Sequence, residues 1–157
     1  MKHMMSLKIN YWVMRTMNKS QSVGKVLNLF TSKNHVDSLA VDKEGIIGDK
    51  FYAKDRERSV LISTIESYKM AEEIGIKLEF GKLGENLLID YNPYLLEAGK
   101  QLYIGSVILE INQKCTLCKS LTQLDKRLPK LLKDDRGIFA KVIQSGTIYK
   151  DDPIYII

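Results

Sequence analysis

Two cysteines spaced three positions apart are the residues of this chain best suited to chemistry. Cys115 and Cys118 follow a strand-like apolar run, and Lys114 and Lys119 flank the pair. A thiol reacts as the thiolate, and neighbouring cations favour that form. The segment therefore predicts a sulfur site that attracts anions, in which a thiolate carries sulfur or binds a soft metal.

Three other interpretations of the cysteine pair stay open. A redox disulfide of the Cys-x-x-Cys type normally opens a helix in a thioredoxin-like setting, which the surrounding sequence does not indicate. A structural zinc site needs four ligands, and the two histidines of the chain are His3 and His35. The third interpretation is a packed core thiol, because free cysteine is usually buried.

Polar turns elsewhere supply residues that could complete a ligand site. Glycines around the loop Gly84-Glu85-Asn86 allow backbone amides to approach a ligand closely. Arginine presents a planar fork that pairs with phosphate or carboxylate, and a carboxylate can orient it. The competing interpretation is plain turns and surface ion pairs. The residues predicted to bind an anionic small-molecule ligand or cofactor are Asp49, Arg58, Gly84, Glu85, Asn86, Lys114, Lys119 and Arg136.

Composition limits the class of protein. The 157 residues are 45% hydrophobic and 27% charged, as in an ordinary globular domain. A net charge of +5 suits anionic partners, but it is spread along the chain, so we do not expect nucleic-acid binding. The apolar runs are too short to span a membrane. Two close cysteines make no disulfide framework and indicate a reducing, cytoplasmic setting.

The chain is predicted to form a single domain over residues 23–157. Residues 1–22 contain five methionines and no apolar core of a secretory signal. We expect this segment to be an N-terminal appendage, either disordered or lying before the true start.

Short strands dominate the elements that must position these residues. One helix is predicted from Ser63 to Gly75, with a capping box at its start, and a weaker one from Leu121 to Lys133, kinked at Pro129. Strands separated by turn residues at intervals of roughly ten residues indicate a mainly β fold, a closed or nearly closed barrel. The predicted strands are Val23–Thr31, Ser38–Val41, Arg58–Ile62, Leu87–Ile89, Gln101–Ile104, Val107–Ile111, Ile138–Ile143 and Ile154–Ile157.

Four sequence blocks, taken in order, resemble the MOSC domain, the family named after the C-terminal part of molybdenum-cofactor sulfurases. Each motif alone is unspecific, whereas the ordered set over residues 24–157 is specific. The blocks are 45–49 with 58–61, then 81–87, then 99–105 with 107–110 and Cys118, and finally 136–142 with 146–148 and Asp152.

This resemblance implies a β-barrel and a role in carrying sulfur or handling the molybdenum cofactor (molybdopterin). It places the working sulfur, whether persulfide or metal ligand, at Cys118, with Cys115 added in an alternative alignment. The implied partner is a sulfur donor such as a desulfurase, or an electron-transfer protein. A separate pyridoxal phosphate site is not assignable. Alternatives are a molybdenum-dependent reductase of N-hydroxylated compounds and a non-catalytic barrel that binds anions or nucleic acid.

Overall fold

The structure is a computed structural model and describes residues 21–116 and 119–157. Its strands are β1 Gly24–Phe30, β2 His35–Val36, β3 Ser38–Asp42, β4 Gly45–Ile46, β5 Val60–Thr64, β6 Leu87–Ile89, β7 Gln101–Ile104, β8 Val107–Lys114, β9 Ile138–Gln144, β10 Gly146–Tyr149 and β11 Pro153–Ile156. Its helices are α1 Ile65–Glu73, α2 Lys119–Leu124 and α3 Leu128–Leu131, with a 3-10 turn at Arg56–Arg58. Within these ranges, no helix is long and apolar enough to cross a membrane.

Seven strands close into a barrel, so the predicted mainly β, closed-barrel fold is confirmed. They follow one another in the order β11, β7, β8, β9, β5, β6 and β1, and β1 pairs back onto β11. β5 and β6 run parallel, because α1 carries the chain back to the start of the sheet between them. The other neighbouring pairs in the ring are antiparallel. A separate sheet contains β10, β3 and β4.

Hydrophobic packing occurs on both sides of the barrel wall. Val60 and Ile62 of β5 belong to the interior core. On the outer side, a second cluster joins Leu88 of β6 to Tyr68 and Ala71 of α1 and to the short helices α2 and α3. Because core and helices cover opposite faces, every residue of β5 is buried. The helical layer thus fixes the loops at this side of the barrel.

Helix α1 begins two residues later than predicted, and the expected capping box does not form. Ser63 lies in β5, and its hydroxyl donates a hydrogen bond to the Arg136 carbonyl at 2.7 Å. Thr64 precedes the helix and makes no side-chain cap. The β5–β6 ladder continues to the pair Thr64 and Ile89, so strand pairing outweighs the local capping signal. The end is close to the prediction, since Gly75 has a φ of +83° just beyond the helix.

The weaker predicted helix is instead two short ones. Between α2 and α3, the Asp125 carboxylate accepts a hydrogen bond from the Arg127 amide at 2.8 Å, which favours a turn over a continuous helix. Pro129 lies in the first turn of α3, where its missing N–H costs little, so it begins a helix rather than kinking one.

Candidate functional site

A cleft of about 230 Å³ lies between the end of β8, the short helices and the start of β9. Cys115 is 3% exposed in its wall, and its amide donates to the Gly137 carbonyl at 2.9 Å. Cys118 lies outside the described residues, two positions beyond Thr116. The cleft is lined by Cys115, Thr116, Leu121, Pro129, Leu132, Lys133, Asp134 and Arg136.

Arg136 connects three segments around this cleft. Its guanidinium donates from Nε to the Leu83 carbonyl at 3.2 Å and from Nη2 to Ser120 Oγ at 2.8 Å. The residue is buried, and its own carbonyl accepts the hydrogen bond from Ser63. A positive charge is therefore held in the cleft wall by the glycine loop on one side and by α2 on the other.

The glycine loop, residues 81–85, lies against this guanidinium. Gly81 and Gly84 have φ of +96° and +85°, a region that L side chains rarely adopt. A Cβ on Gly84 would lie 3.6 Å from Arg136 Nη2. Arg136 thus lies between the cleft that Cys115 lines and the glycine loop, and a contact of any of these residues to a ligand stays a prediction.

Glu85 is a buried acid at the end of the same loop. Its Oε2 accepts hydrogen bonds from the Tyr68 hydroxyl at 2.5 Å and from the Gly81 amide at 3.2 Å. Its Oε1 is buried and has no hydrogen-bond partner in the described structure. Burial raises the pKa of Glu85, and the hydrogen bonds offset this only in part. The Glu85 carboxyl therefore tends to keep its proton.

The Asn86 side chain forms hydrogen bonds with backbone groups of two strands. Its Oδ1 accepts from the Leu61 amide at 2.9 Å, and its Nδ2 donates to the Phe30 carbonyl at 3.2 Å. Its own amide and carbonyl bond the same two residues, each at 2.8 Å. Asn86 therefore braces β5 against β1, and a contact to a ligand stays a prediction.

Asp49 lines a different cleft, of about 340 Å³, beside the turn between β1 and β2. Its carboxylate accepts from the Ser32 amide at 2.6 Å and from the Phe51 amide at 3.1 Å. Burial alone would raise the pKa of Asp49, but these hydrogen bonds and the charge of Lys50 lower it overall. Asp49 is thus a fixed anion away from the cysteine cleft.

The remaining basic candidates lie around the edges. Arg58 donates to Asp55 at 2.8 Å, is 46% exposed and lies 5.9 Å from the Phe139 ring centroid. It lines neither of the two clefts. Lys114 ends β8 and Lys119 begins α2, on either side of the cysteine segment, and a contact of either lysine to a ligand stays a prediction.

Sequence reasoning missed the phenols that support the site. Tyr68 fits the apolar stripe of the helix, so the sequence indicated only a core role. Tyr94 accepts a hydrogen bond from the Thr64 amide at 3.0 Å and contacts Ser67 Oγ at 2.8 Å. Burial raises the pKa of Tyr94 to about 12. These contacts join residues that are far apart in the chain, and no local sequence pattern predicts them.

The zinc interpretation gains no support from the geometry. His35 lies on β2, where it contacts Asn28 at 3.2 Å and the Phe30 ring at a centroid distance of 5.1 Å. Residues 21–116 and 119–157 contain no group of three His, Cys, Asp or Glu side chains placed to hold a metal ion. His3 lies outside those ranges.

Fold and cleft together define a small closed β-barrel protein with a thiol and a buried guanidinium in one wall. The sequence model of the MOSC domain matches residues 19–155, and the chain belongs to this family. MOSC domains are associated with the molybdenum cofactor. The resemblance stated from the sequence is therefore confirmed.

Solved structures share the fold at low sequence identity. YuaD from Bacillus subtilis superposes with a TM-score of 0.68 and 19% identity, over 86% of this chain and 93% of that one. YiiM from Escherichia coli superposes with a TM-score of 0.69 and 21% identity, over 85% of this chain and 69% of that one. YiiM from Geobacillus stearothermophilus superposes with a TM-score of 0.64 and 17% identity, over 87% of this chain and 73% of that one. No curated protein matches the sequence.

Proposed function

We propose that this chain binds the molybdenum cofactor, or carries sulfur for it, through a cysteine thiolate at the Cys115 cleft. Cys118 is the working sulfur in this proposal, and Cys115, three positions before it in the sequence, lines the cleft. The supporting observation is that Cys115 and the buried Arg136 line the same cleft. Thr116, two positions before Cys118, lines it as well.

The side chains around the cleft fit such a cofactor chemically. A thiolate is a soft ligand, which suits a soft metal centre or sulfane sulfur. Arg136 and Lys133 offer cationic donors for a phosphate group, and Leu121 and Leu132 supply an apolar wall. When bound, the cofactor would supply a redox-active metal centre. The chain itself would hold the anionic part, present the thiolate and exclude water.

For sulfur carriage, the Cys118 thiolate attacks the terminal sulfur of a donor persulfide. A new S–S bond forms at Cys118 while the donor S–S bond breaks, and the donor leaves as a thiolate. No external oxidant is needed, because the sulfane sulfur keeps its oxidation state. Lys114 and Lys119 bracket the segment and favour the thiolate in this proposal.

The test compares wild type with Cys118→Ser and Cys115→Ser after expression in a host that makes the cofactor. Intact-mass analysis detects one added sulfur atom, and metal analysis gives the molybdenum content. We expect Cys118→Ser to lose both while keeping the fold, and Cys115→Ser to keep a share. Molybdenum near one per chain would favour the reductase alternative over sulfur carriage. Wild-type stoichiometry in Cys118→Ser would refute the assignment of Cys118.

A further inference from the structure

We propose that Tyr68 and Glu85 are a positioning pair, which fixes the glycine loop so that its Leu83 carbonyl holds Arg136 in the cleft wall. The proposal gives Glu85 a role away from the ligand and adds Tyr68 to the site. Its functional meaning rests on the proposed anion-binding role of the cleft. Its structural part stands on hydrogen bonds alone.

Tyr68 is the centre of the loop's hydrogen bonding. Its hydroxyl donates to Glu85 Oε2 at 2.5 Å and accepts from the amides of Gly81 at 2.9 Å and Leu83 at 3.3 Å. The Gly81 amide also reaches Glu85 Oε2 at 3.2 Å. Two buried side chains thus fix the amides at both ends of a three-residue stretch.

The same stretch supplies the acceptor for Arg136. The Leu83 amide bonds Tyr68, and its carbonyl accepts from Arg136 Nε at 3.2 Å. Leu83 is fully buried in the hydrophobic cluster between the barrel wall and the helices, so its orientation is fixed by packing as well. A shift of the loop would therefore displace the guanidinium that lines the Cys115 cleft.

The cost of burying these groups supports a positioning role. A carboxyl group that is 2% exposed and leaves one oxygen without a partner is unfavourable, and an apolar residue would avoid that cost. Glycines with positive φ make the loop flexible in the unfolded chain, so ordering it requires fixed partners. The titratable groups that interact with Glu85 are Tyr68 from α1 and Tyr94 after β6, and Arg136 lies against the neighbouring Gly84.

The experiment measures two quantities. One is the rate of Cys115 alkylation by iodoacetamide in a Cys118→Ser background, where Cys115 is the remaining thiol, and the other is the affinity for inorganic molybdate in the chain that keeps Cys118. Tyr68→Phe keeps the ring and its edge contact with Phe80, at a centroid distance of 5.0 Å, but removes the hydroxyl. We expect about tenfold faster alkylation and about tenfold weaker binding, the size expected for losing a buried hydrogen bond.

Matched variants separate positioning from general destabilisation. Tyr103→Phe removes another buried hydroxyl, one with no hydrogen-bond partner among the described residues, and should change neither quantity. Ile154→Ala weakens the barrel core away from the cleft and should leave the alkylation rate of the folded protein unchanged. Glu85→Ala should match Tyr68→Phe, whereas Glu85→Gln keeps an acceptor oxygen and should show a smaller effect.

The outcomes distinguish this inference from the proposed function. Equal alkylation rates in Tyr68→Phe, Glu85→Ala and Tyr103→Phe would overturn the positioning role, whatever the binding data show. Wild-type protein that fails to bind molybdate, with Tyr68→Phe still alkylated faster, would support positioning and count against the anion-binding cleft. If Tyr68→Phe does not fold, the contrast between Glu85→Ala and Glu85→Gln decides the question in the same way.

Discussion

At the scale of single residues, the pKa values of two buried carboxyl groups of this chain are shifted in opposite directions. Both oxygens of Asp49 accept a backbone amide, and the net effect lowers its pKa. Glu85 places both of its hydrogen bonds on one oxygen, and burial raises its pKa. Burial acts most strongly on both pKa values, and the hydrogen bonds and the charge of Lys50 outweigh it at Asp49, whereas the hydrogen bonds at Glu85 do not.

Glu85→Gln should change how stability depends on pH. A carboxyl whose pKa is higher in the folded state stabilises the fold while protonated, and this contribution is lost as pH rises above the unfolded value of about 4.5. The variant cannot lose a proton, so its free energy of unfolding relative to wild type should increase as pH rises above 4.5 and level off above the folded pKa of Glu85. Urea unfolding at several pH values measures this. A constant offset across the range would contradict it.

Asp49→Asn should show the opposite trend. A lowered pKa stabilises the fold above the unfolded value of 3.8, and this contribution disappears as pH falls through the folded value. At pH 7 the variant should lose about 2 kcal/mol, because two amides exchange a charged acceptor for a neutral amide group. The deficit should shrink towards pH 3. Asp55→Asn, at an exposed ion pair with Arg58, is the control and should show a smaller deficit at pH 7.

At the scale of elements, the sequence predicted most strands and missed what connects them. Alternating apolar residues and turn glycines indicate where strands such as β7 and β8 lie. The Ser63 capping signal was wrong because pairing of β5 with β6, whose paired residues are 25 positions apart, extends the strand. The Tyr68–Glu85 contact was not predicted from the sequence for the same reason, since it depends on how α1 packs against the barrel and not on a local sequence pattern.

Asn86→Ala tests the brace between β1 and β5. Removing the side chain leaves the Leu61 amide and the Phe30 carbonyl without these hydrogen bonds in a partly buried setting. We expect a loss of about 2 kcal/mol in the free energy of unfolding. Asn112→Ala is the matched control, because its Nδ2 donates to the Glu57 carbonyl at an exposed position and should cost below about 0.5 kcal/mol. Equal losses in the two variants would refute the brace.

At the scale of the whole molecule, the barrel is closed by a short seam. β1 and β11 pair through Gly24 with Ile154 and Lys25 with Pro153. Three backbone hydrogen bonds flank this pairing, from the Val23 amide to the Ile154 carbonyl at 2.8 Å, from the Val26 amide to the Asp152 carbonyl at 3.0 Å and from the Asp151 amide to the Val26 carbonyl at 2.9 Å. The resemblance and the strand count predicted a barrel, but no sequence pattern marks this pairing of the first and last strands. Their ends are 130 residues apart, and the contact exists only because the five strands between them curve the sheet.

Ile154→Ala should weaken the entire barrel rather than its seam alone. Ile154 is fully buried in the interior core, so its truncation leaves a cavity where β11 meets β1 and β7. We expect a loss of about 2–4 kcal/mol, whereas Ile157→Ala, 48% exposed, should cost below about 0.5 kcal/mol. Because the pairing of β1 with β11 completes the ring, the barrel should unfold as one unit. Unfolding followed by far-ultraviolet circular dichroism and by tyrosine fluorescence should therefore give coincident transitions in both variants. Separate transitions in Ile154→Ala would mean that the seam opens while the rest of the barrel stays folded, and that the fold does not depend on closure.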